Sequence, residues 1–541
     1  MTTRMQRPLF LSIIAISAAI GCAPRGPAAP VPTPVTTAAV PTAPAPVPAP
    51  AGPALPPVPH VTQPLAIKVV YPTPNAVIPS KDSNFIFGSL GNGDAALTIN
   101  GVPTPVWPNG AFMGWLPVPT AEHPQYDLVA AVGSDVARAA LPIKLAPATT
   151  PVPDTVQRLA QPQYATLIKP TSYIQASDTD AVVTAYRLTG GSDRWFLLPD
   201  TRVKVLGYKG GNALVELDNT DTVYIEKPDL RMITADASTP VASPPQAIRT
   251  AKNFTVVPSA EYIDVTIPMS ERPAHLVEEG ANSITLTLYG TSGAAQTASL
   301  PATSYVTAVS SAPSGPKMKY TFALRGPAYG YLTVWKDSVL SIRVRRPPAI
   351  DVTDPLKGLT IAIDPGHPPV GATGPTGLWE PVPTLAVGFK VRDMLAARGV
   401  NVVMTRTDSL PVDLNLRGTI ARRANAHAMV SIHLNALPDG QNPYTNQGTS
   451  TFYFYAQAEP LAKATHQALL TQLALPDKGA IKRNLAVIRP TWMPAILCEG
   501  AFIMMPDQEA AMRTDEYQMR YAKGIVDGLD AYFRSLGQAL H

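Results

Sequence analysis

Cysteine is almost missing from this chain: there are two in 541 residues, Cys22 and Cys498. A disulfide-stapled scaffold and any cysteine-based zinc finger are thereby excluded. Charge is scarce as well, at 15% of residues with a net of +4, so the basic footprint of a nucleic-acid binder is absent and no nucleic-acid partner is expected. Long apolar runs are missing too. The amino-terminal stretch Leu9–Ile20 is twelve residues, short of the roughly 20 that an ordinary membrane helix needs. Proline, by contrast, is abundant: 60 residues, or about 11%, roughly twice ordinary usage. With 45% hydrophobic residues there is material for real cores, so a wholly disordered chain is excluded. At about 150 residues per domain the length predicts three to four domains, and the excess proline predicts β-rich modules joined by stiff linkers.

Arg4 and Arg7 precede the apolar run Leu9–Ile20, as in an export signal. The stretch Ala19-Ile20-Gly21-Cys22 resembles a bacterial lipobox, with Ala19 where leucine is usual. That resemblance implies a signal peptide over 1–21, cleavage before Cys22 and a lipid anchor on its thiol. The alternative is an ordinary signal peptide with a chance cysteine. Ala23 stands where an aspartate would retain a diderm lipoprotein in the inner membrane. By that likeness the protein is periplasmic, held to the inner leaflet of the outer membrane. Residues 22–65 then form the lipidated start and a linker. Residues 23–64 hold 15 Pro, 10 Ala and a single Arg/Lys/Asp/Glu, Arg25. Such a segment favours polyproline II and, at about 3.1 Å per residue, reaches roughly 130 Å.

Three small all-β modules are expected next. Residues 66–145 carry Asn84-Phe85-Ile86-Phe87 and Ala96–Ile99 before an Asn100-Gly101 turn, and resemble an immunoglobulin-like β-sandwich. Residues 156–235, with Arg202–Leu206 and Asn212–Leu217 around Gly207, Gly210 and Gly211, resemble an SH3-like barrel. Residues 248–346 alternate at Tyr262–Ile267, Ser283–Leu288 and Ser341–Arg345. No chemistry-bearing cluster appears in any of them, so each reads either as a spacer or as a targeting module.

From 356 to 541 the pattern changes to strands alternating with helices, which predicts an α/β domain with a mainly parallel sheet flanked by helices. Strands are expected at Thr360–Ile363, Asn401–Met404, Ala428–Ile432, Thr451–Tyr455, Leu485–Ile488 and Ala495–Cys498. Helices are expected at Thr384–Arg398, Leu414–Ala424, Pro460–Leu473 and Glu516–Leu536. Asp364-Pro365-Gly366-His367 follows the first strand, Ser431-Ile432-His433-Leu434-Asn435 ends the third, and Cys498-Glu499-Gly500 ends the last. Glu380 closes the glycine-rich loop Gly371–Glu380. Carboxyl ends of parallel strands converge on one sheet edge, so two histidines and two glutamates meet there. Two imidazoles and one carboxylate suit zinc with a fourth position open, and a second carboxylate can move a proton.

The ordered motifs Asp364–His367, Gly371–Glu380, Thr405-Arg406, Leu414–Arg417, Ala424-Asn425, Ser431–Asn435 and Glu499–Phe502 resemble the zinc-dependent N-acetylmuramoyl-L-alanine amidases of the Amidase_3 type, over roughly Leu356–Phe533. The resemblance implies Zn2+ held by His367, Glu380 and His433, with Glu499 as the catalytic carboxylate. The implied substrate is peptidoglycan, cut between N-acetylmuramic acid and L-alanine of the stem peptide. It also makes 248–346 similar to the AMIN-type module that precedes many such enzymes, and a cell-division or wall-remodelling protein a partner for the β modules. Asp364 is left between orienting a ligand histidine and capping the strand-end turn, and Asn435 between substrate contact and loop bracing. There are departures. Pro368-Pro369 replace the usual two glycines, the loop from His367 to Glu380 is shorter, and Met504-Met505 replace a Ser-Asn pair. Two alternatives stay open: a catalytically degenerate wall-binding scaffold, or a zinc peptidase cutting another stem amide. Of the remaining residues, His427 reads as surface, His466 as lying on a polar helix face, and His275 as loop. Arg406 and Arg417 read as structural ion pairs, Trp379 and Trp492 as packing, and Cys498 as a buried inert thiol. The insertion 437–448 is rich in Gly, Asn and Pro and reads as a loop rather than a helical plug.

Overall fold

The computed structural model describes residues 54–147, 155–170, 181–188, 195–233 and 249–540. The export signal, Cys22 and the linker as far as residue 53 lie outside the described residues.

The carboxy-terminal domain runs β1 (Thr360–Pro365), α1 (Pro381–Ala396), β2 (Asn401–Met404), α2 (Leu414–Arg423), β3 (Ala428–Asn435), β4 (Thr449–Tyr453), α3 (Glu459–Leu473), β5 (Asp477–Lys482), β6 (Ala495–Phe502), α4 (Pro506–Met512) and α5 (Asp515–Leu540). The sheet order is β2-β1-β3-β6-β4-β5. Neighbours are parallel except β4 and β6, so the sheet is mixed but mainly parallel. Its central strands are buried on both faces, which is why they read as near-continuous apolar runs, with the buried Ser431 inside that of β3. Ile361, Ile363, Val430, Ile432, Ile496 and Cys498 pack against α1, α3 and α5. Ala362, Met429, Ala495 and Leu497 turn to the other face, toward Ala421 and Trp492. This alternation matters for the site: Cys498 belongs to the helix-covered core, and Glu499 points the opposite way.

Leu485–Ile488 is not the strand its apolar residues suggest; Ala486–Ile488 forms a 3-10 turn. The strand there is β5, an edge strand whose Asp477, Lys478 and Gly479 hid it in a turn-like sequence. It also corrects the reading of His466. That side chain is buried, its Nε2 lies 2.8 Å from Asp477 Oδ1, and its Nδ1 lies 3.5 Å from Thr451 Oγ1. His427 is half-buried rather than surface: its Nδ1 accepts from Thr360 N–H (2.9 Å), and burial pulls its pKa down to about 4.

The amino-terminal β unit is built of two larger sheets, Lys68–Tyr71 with Ser83–Ser89 and Ala111–Pro117, and Val102–Thr104 with Ala96–Ile99, Gln125–Val132 and Asp135–Pro142, with a short parallel pair, Val77–Ile78 and Lys144–Leu145, beside them. Their shared core holds Ile86, Phe112, Tyr126 and Leu128. The end of the linker is not a free tether. Val61 N–H donates to Pro108 and Gly93 N–H to Val61, while Arg520 donates to the Ala54 carbonyl (2.9 Å). The second unit carries a five-stranded antiparallel sheet running from Asp221–Glu226 through Asn212–Asp218, Arg202–Lys209 and Gln157–Leu167 to Leu230–Met232. In the third unit a four-stranded and a five-stranded antiparallel sheet share a core around Val265, Leu286, Phe322 and Ile342. His275 starts a strand there, His275–Gly280, and is buried rather than in a loop. Arg345 of this unit is buried against the carboxy-terminal domain. It donates to the carbonyls of Ala426 (2.6 Å), Asn425 (2.9 Å) and Trp492 (3.1 Å), with the Trp492 ring 5.0 Å away.

Candidate active site

β1 ends in Asp364-Pro365-Gly366, and the chain turns sharply at His367, whose φ is +58°. A non-glycine residue holds that left-handed conformation only when its surroundings enforce it. Two buried arginines do so. Arg417 donates to the carbonyls of Pro365 (3.0 Å), His367 (3.1 Å) and Pro368 (3.0 Å), and Arg406 to those of Pro365 (2.8 Å) and Gly366 (2.9 Å). The Pro368 carbonyl of the Pro368-Pro369 departure is thus part of a defined turn. Arg417 also makes the expected ion pair, with Asp364 at 2.8 Å; Arg406 instead spends its donors on carbonyls and the Thr384 hydroxyl. Asp364 is fully buried and accepts from Arg417, from Ser431 Oγ (2.6 Å) and from Thr405 Oγ1. Burial would raise its pKa, but the Arg417 charge and the two hydroxyls outweigh that and hold it below the usual range. It ties the ends of β1 and β3 and the Thr405 turn together, and its hydrogen-bond partners are these three rather than a histidine ring.

The glycine-rich loop returns to the sheet at Glu380, immediately before α1, with Pro381 at the first helical position. Its carboxylate does not cap that helix. Oε2 accepts from Ala372 N–H (3.0 Å) and lies 3.1 Å from His367 Nε2. Oε1 accepts from Leu434 N–H (3.0 Å) and lies 3.2 Å from His433 Nδ1. Glu380 is 3% exposed, whereas the His367 and His433 side chains are 21% and 15% exposed, so the cluster opens to solvent on the imidazole side. Burial alone would raise the Glu380 pKa; the two histidines reverse that and hold it well below the carboxylate range. The two rings stand 4.8 Å apart at 78°. Gly366 permits this, since a Cβ there would fall 2.5–2.7 Å from the His433 ring.

β3 and β6 pair in parallel with His433 opposite Glu499, which sets the second carboxylate beside the cluster. Glu499 Oε2 is buried without a hydrogen-bond partner. Burial pushes its pKa well above the ordinary value, and the Glu380 charge pushes it further. Asn435 ends β3, and its carbonyl accepts from Ile503 N–H (3.1 Å). Cys498 lies in the opposite core, its thiol pKa raised by burial. Trp492 is buried and donates to Asn425 Oδ1 (2.8 Å); Trp379 stays 37% exposed.

Two supporting residues escaped the sequence reading. Glu509 is fully buried, and its carboxylate accepts from Thr376 N–H (2.9 Å) and Leu378 N–H (2.9 Å), which pins the glycine-rich loop. The Tyr521 hydroxyl lies 2.8 Å from the Cys498 carbonyl and 3.1 Å from that of His433, bridging the two strands that carry the chemistry. Their only sequence trace is small residues: a Cβ on Gly374 or Gly500 would strike Glu509 or Tyr521.

The donor atoms of His367, Glu380 and His433 all lie within 4.8 Å of one another. A tetrahedral zinc with bonds of about 2.0–2.1 Å sets its ligand atoms roughly 3.3 Å apart; each imidazole lies near that distance from one Glu380 oxygen, His367 from Oε2 at 3.1 Å and His433 from Oε1 at 3.2 Å. With the orphaned Glu499 oxygen alongside, the residues fit that ion.

A family model described as N-acetylmuramoyl-L-alanine amidase (Amidase_3) matches residues 361–531. The chain is 31% identical over 187 residues to the probable cell wall amidase LytH of Staphylococcus epidermidis, covering 34% of this chain and 61% of that one. It thus spans about three fifths of the length of that relative. To the germination-specific N-acetylmuramoyl-L-alanine amidase of Bacillus subtilis it is 32% identical over 202 residues, covering 34% of this chain and 83% of the relative. Among solved structures, the N-acetylmuramoyl-L-alanine amidase from Clostridium difficile 630 aligns at 31% identity, covering 32% of this chain and 96% of that chain, with a TM-score of 0.31.

Proposed function

From the premise that this chain belongs to the Amidase_3 family of N-acetylmuramoyl-L-alanine amidases, we propose that it hydrolyses peptidoglycan at the amide between the lactyl group of N-acetylmuramic acid and L-alanine. The observation that carries the reading is the convergence of His367, Glu380 and His433, with Glu499 paired beside His433. His367, Glu380 and His433 would hold Zn2+. A zinc ion bound there supplies Lewis acidity toward a substrate carbonyl and toward water. Glu499 takes the proton of the attacking water and delivers it to the departing nitrogen of L-alanine as the C–N bond breaks, leaving a lactyl carboxylate and a free amine. Arg417 and Arg406 keep His367 in its strained turn, and Glu509 keeps the loop that delivers Glu380.

Mass spectrometry of digested sacculi tests the reading. Lactyl-ended glycans together with stem peptides bearing a free L-alanine amine are expected. Shortened stems still joined to muramic acid would identify a peptidase instead, and no product from a zinc-loaded chain would identify a scaffold.

The finer organisation belongs to the same proposal. The three β units are read as immunoglobulin-like, SH3-like and AMIN-like modules, for which the two-sheet, five-stranded and two-sheet arrangements are the support. The lipobox-like Ala19–Cys22 supports export and anchoring at Cys22. Cys22→Ser is expected to move the protein from the detergent phase to the aqueous phase; unchanged partition would remove the anchor.

A further inference from the structure

Two features are not absorbed by the reaction: the 437–448 insertion, and Met504-Met505 in place of a polar pair. Both meet the amino-terminal β unit. Phe85, Phe87 and Met113 close with Phe502, Met504 and Met505 into one buried apolar cluster, joined by Leu437. Beside it Asp439 Oδ1 accepts from Asn84 Nδ2 (2.8 Å) and from the Tyr71 hydroxyl, and Gly440 N–H donates to Asn84 Oδ1 (3.1 Å). The Tyr444 hydroxyl donates to the Met113 carbonyl (2.7 Å). Asn84 has no exposure, so parting these groups would leave polar atoms unsatisfied.

The β unit is shaped for this contact. Along Ser83–Ser89, Ile86 faces the unit's own core, while Phe85 and Phe87 face away from it and stack with Tyr71 at 5.2 and 5.8 Å. Undocked, the unit would present an aromatic patch to water, which an independent spacer avoids.

The position of the contact gives it a consequence. Leu437 follows the end of β3 by two residues, and Met504 follows Glu499 by five. The segments leaving the strands that carry His433 and Glu499 are therefore fastened to one surface. The two residues are not equally exposed to its loss. The metal cluster is held from elsewhere, through Gly366 beside His433 and through Ala372 and Leu434 bonding Glu380. Glu499 Oε2 has no partner, so the course of β6 does most to place that carboxylate.

We propose that the 66–145 unit is a positioning element of the hydrolase site: docked against Leu437–Tyr444 and Phe502–Met505, it sets Glu499 against the metal cluster and thereby sets turnover. The inference rests on the amidase reading. Its test is the full chain carrying Phe85→Asp and Phe87→Asp, which place carboxylates in the shared cluster and leave Ile86 in the unit's core. Undocking is read as faster hydrogen exchange over 437–448, and zinc is counted per chain. The expected result is a kcat on a soluble muropeptide lower by about 10-fold or more, with KM within about 3-fold of the parent and zinc retained. A kcat within about twofold of the parent in a chain whose 437–448 amides exchange freely would overturn the proposal, as would a loss of kcat that follows loss of zinc. Should those amides stay protected, Asn84→Asp is added, setting a carboxylate against Asp439, and the same outcomes decide. An unsubstituted chain that releases no lactyl-ended glycan would refute the amidase reading itself.

Discussion

Replacing Glu499 by glutamine is expected to lower stem-peptide release by about 10²–10⁴-fold while the chain keeps its zinc. The substitution keeps shape and one carbonyl oxygen but removes the group that accepts and returns the proton. Zinc should stay, because the three clustered donors belong to His367, Glu380 and His433. Stability of the metal-free chain should not fall. The Glu499 carboxyl is buried, one oxygen lacks a partner, and Glu380 repels its ionised form, so the neutral amide relieves an unfavourable charge. A protein that loads zinc but is inert, and whose metal-free form is equally or more resistant to urea, is the predicted combination. Hydrolysis within about tenfold of the parent would remove Glu499 from the chemistry. Metal lost together with activity would make it a ligand instead.

Gly366→Ala should be nearly as damaging, for a purely steric reason. The new Cβ would stand 2.5 Å from His433 Cε1, 2.6 Å from Nε2 and 2.7 Å from Nδ1, closer than such atoms approach. The ring has to move, and a shift of about 1 Å in a positioned group costs on the order of 10²-fold in rate. Zinc affinity should fall with it, by about 10–100-fold, the scale seen when the support of a metal ligand is disturbed. Gly326→Ala is the matched control, since nothing lies within 4 Å of its added Cβ. Competition with a chromophoric chelator reads the affinity and release of stem peptides reads the rate. Parent-like values for Gly366→Ala would mean that His433 does not occupy the packed position described.

The chemistry was legible in the sequence because it sits at strand ends. Ile361–Ile363, Ala428–Ile432 and Ala495–Cys498 are apolar runs, and each is followed within a few residues by a histidine or a glutamate. Parallel pairing then brings those residues to one edge without further information. What holds them there was not legible, because it acts across long separations. Glu509 reaches Thr376 over 133 residues and Asn84 reaches Asp439 over 355. No local pattern announces such partners. The edge strand Asp477–Lys482 was hidden differently: with one neighbour and much of its surface open, it needs no apolar alternation, and its Asp-Lys-Gly reads as a turn. The reading of His466 failed with it, since the polar face assigned to α3 is covered by that strand. The double proline after His367 raised a question that only the packing answers, through the bonds of Arg417 to the carbonyls of His367 and Pro368.

X-ray absorption at the zinc edge on the full chain tests the central claim most directly. The account predicts one zinc per chain in nitrogen and oxygen coordination with two imidazoles, and a spectrum that Glu499→Gln leaves with the same two imidazoles. A chain that takes up no stoichiometric zinc, or a signal that survives His433→Ala unaltered, would contradict it.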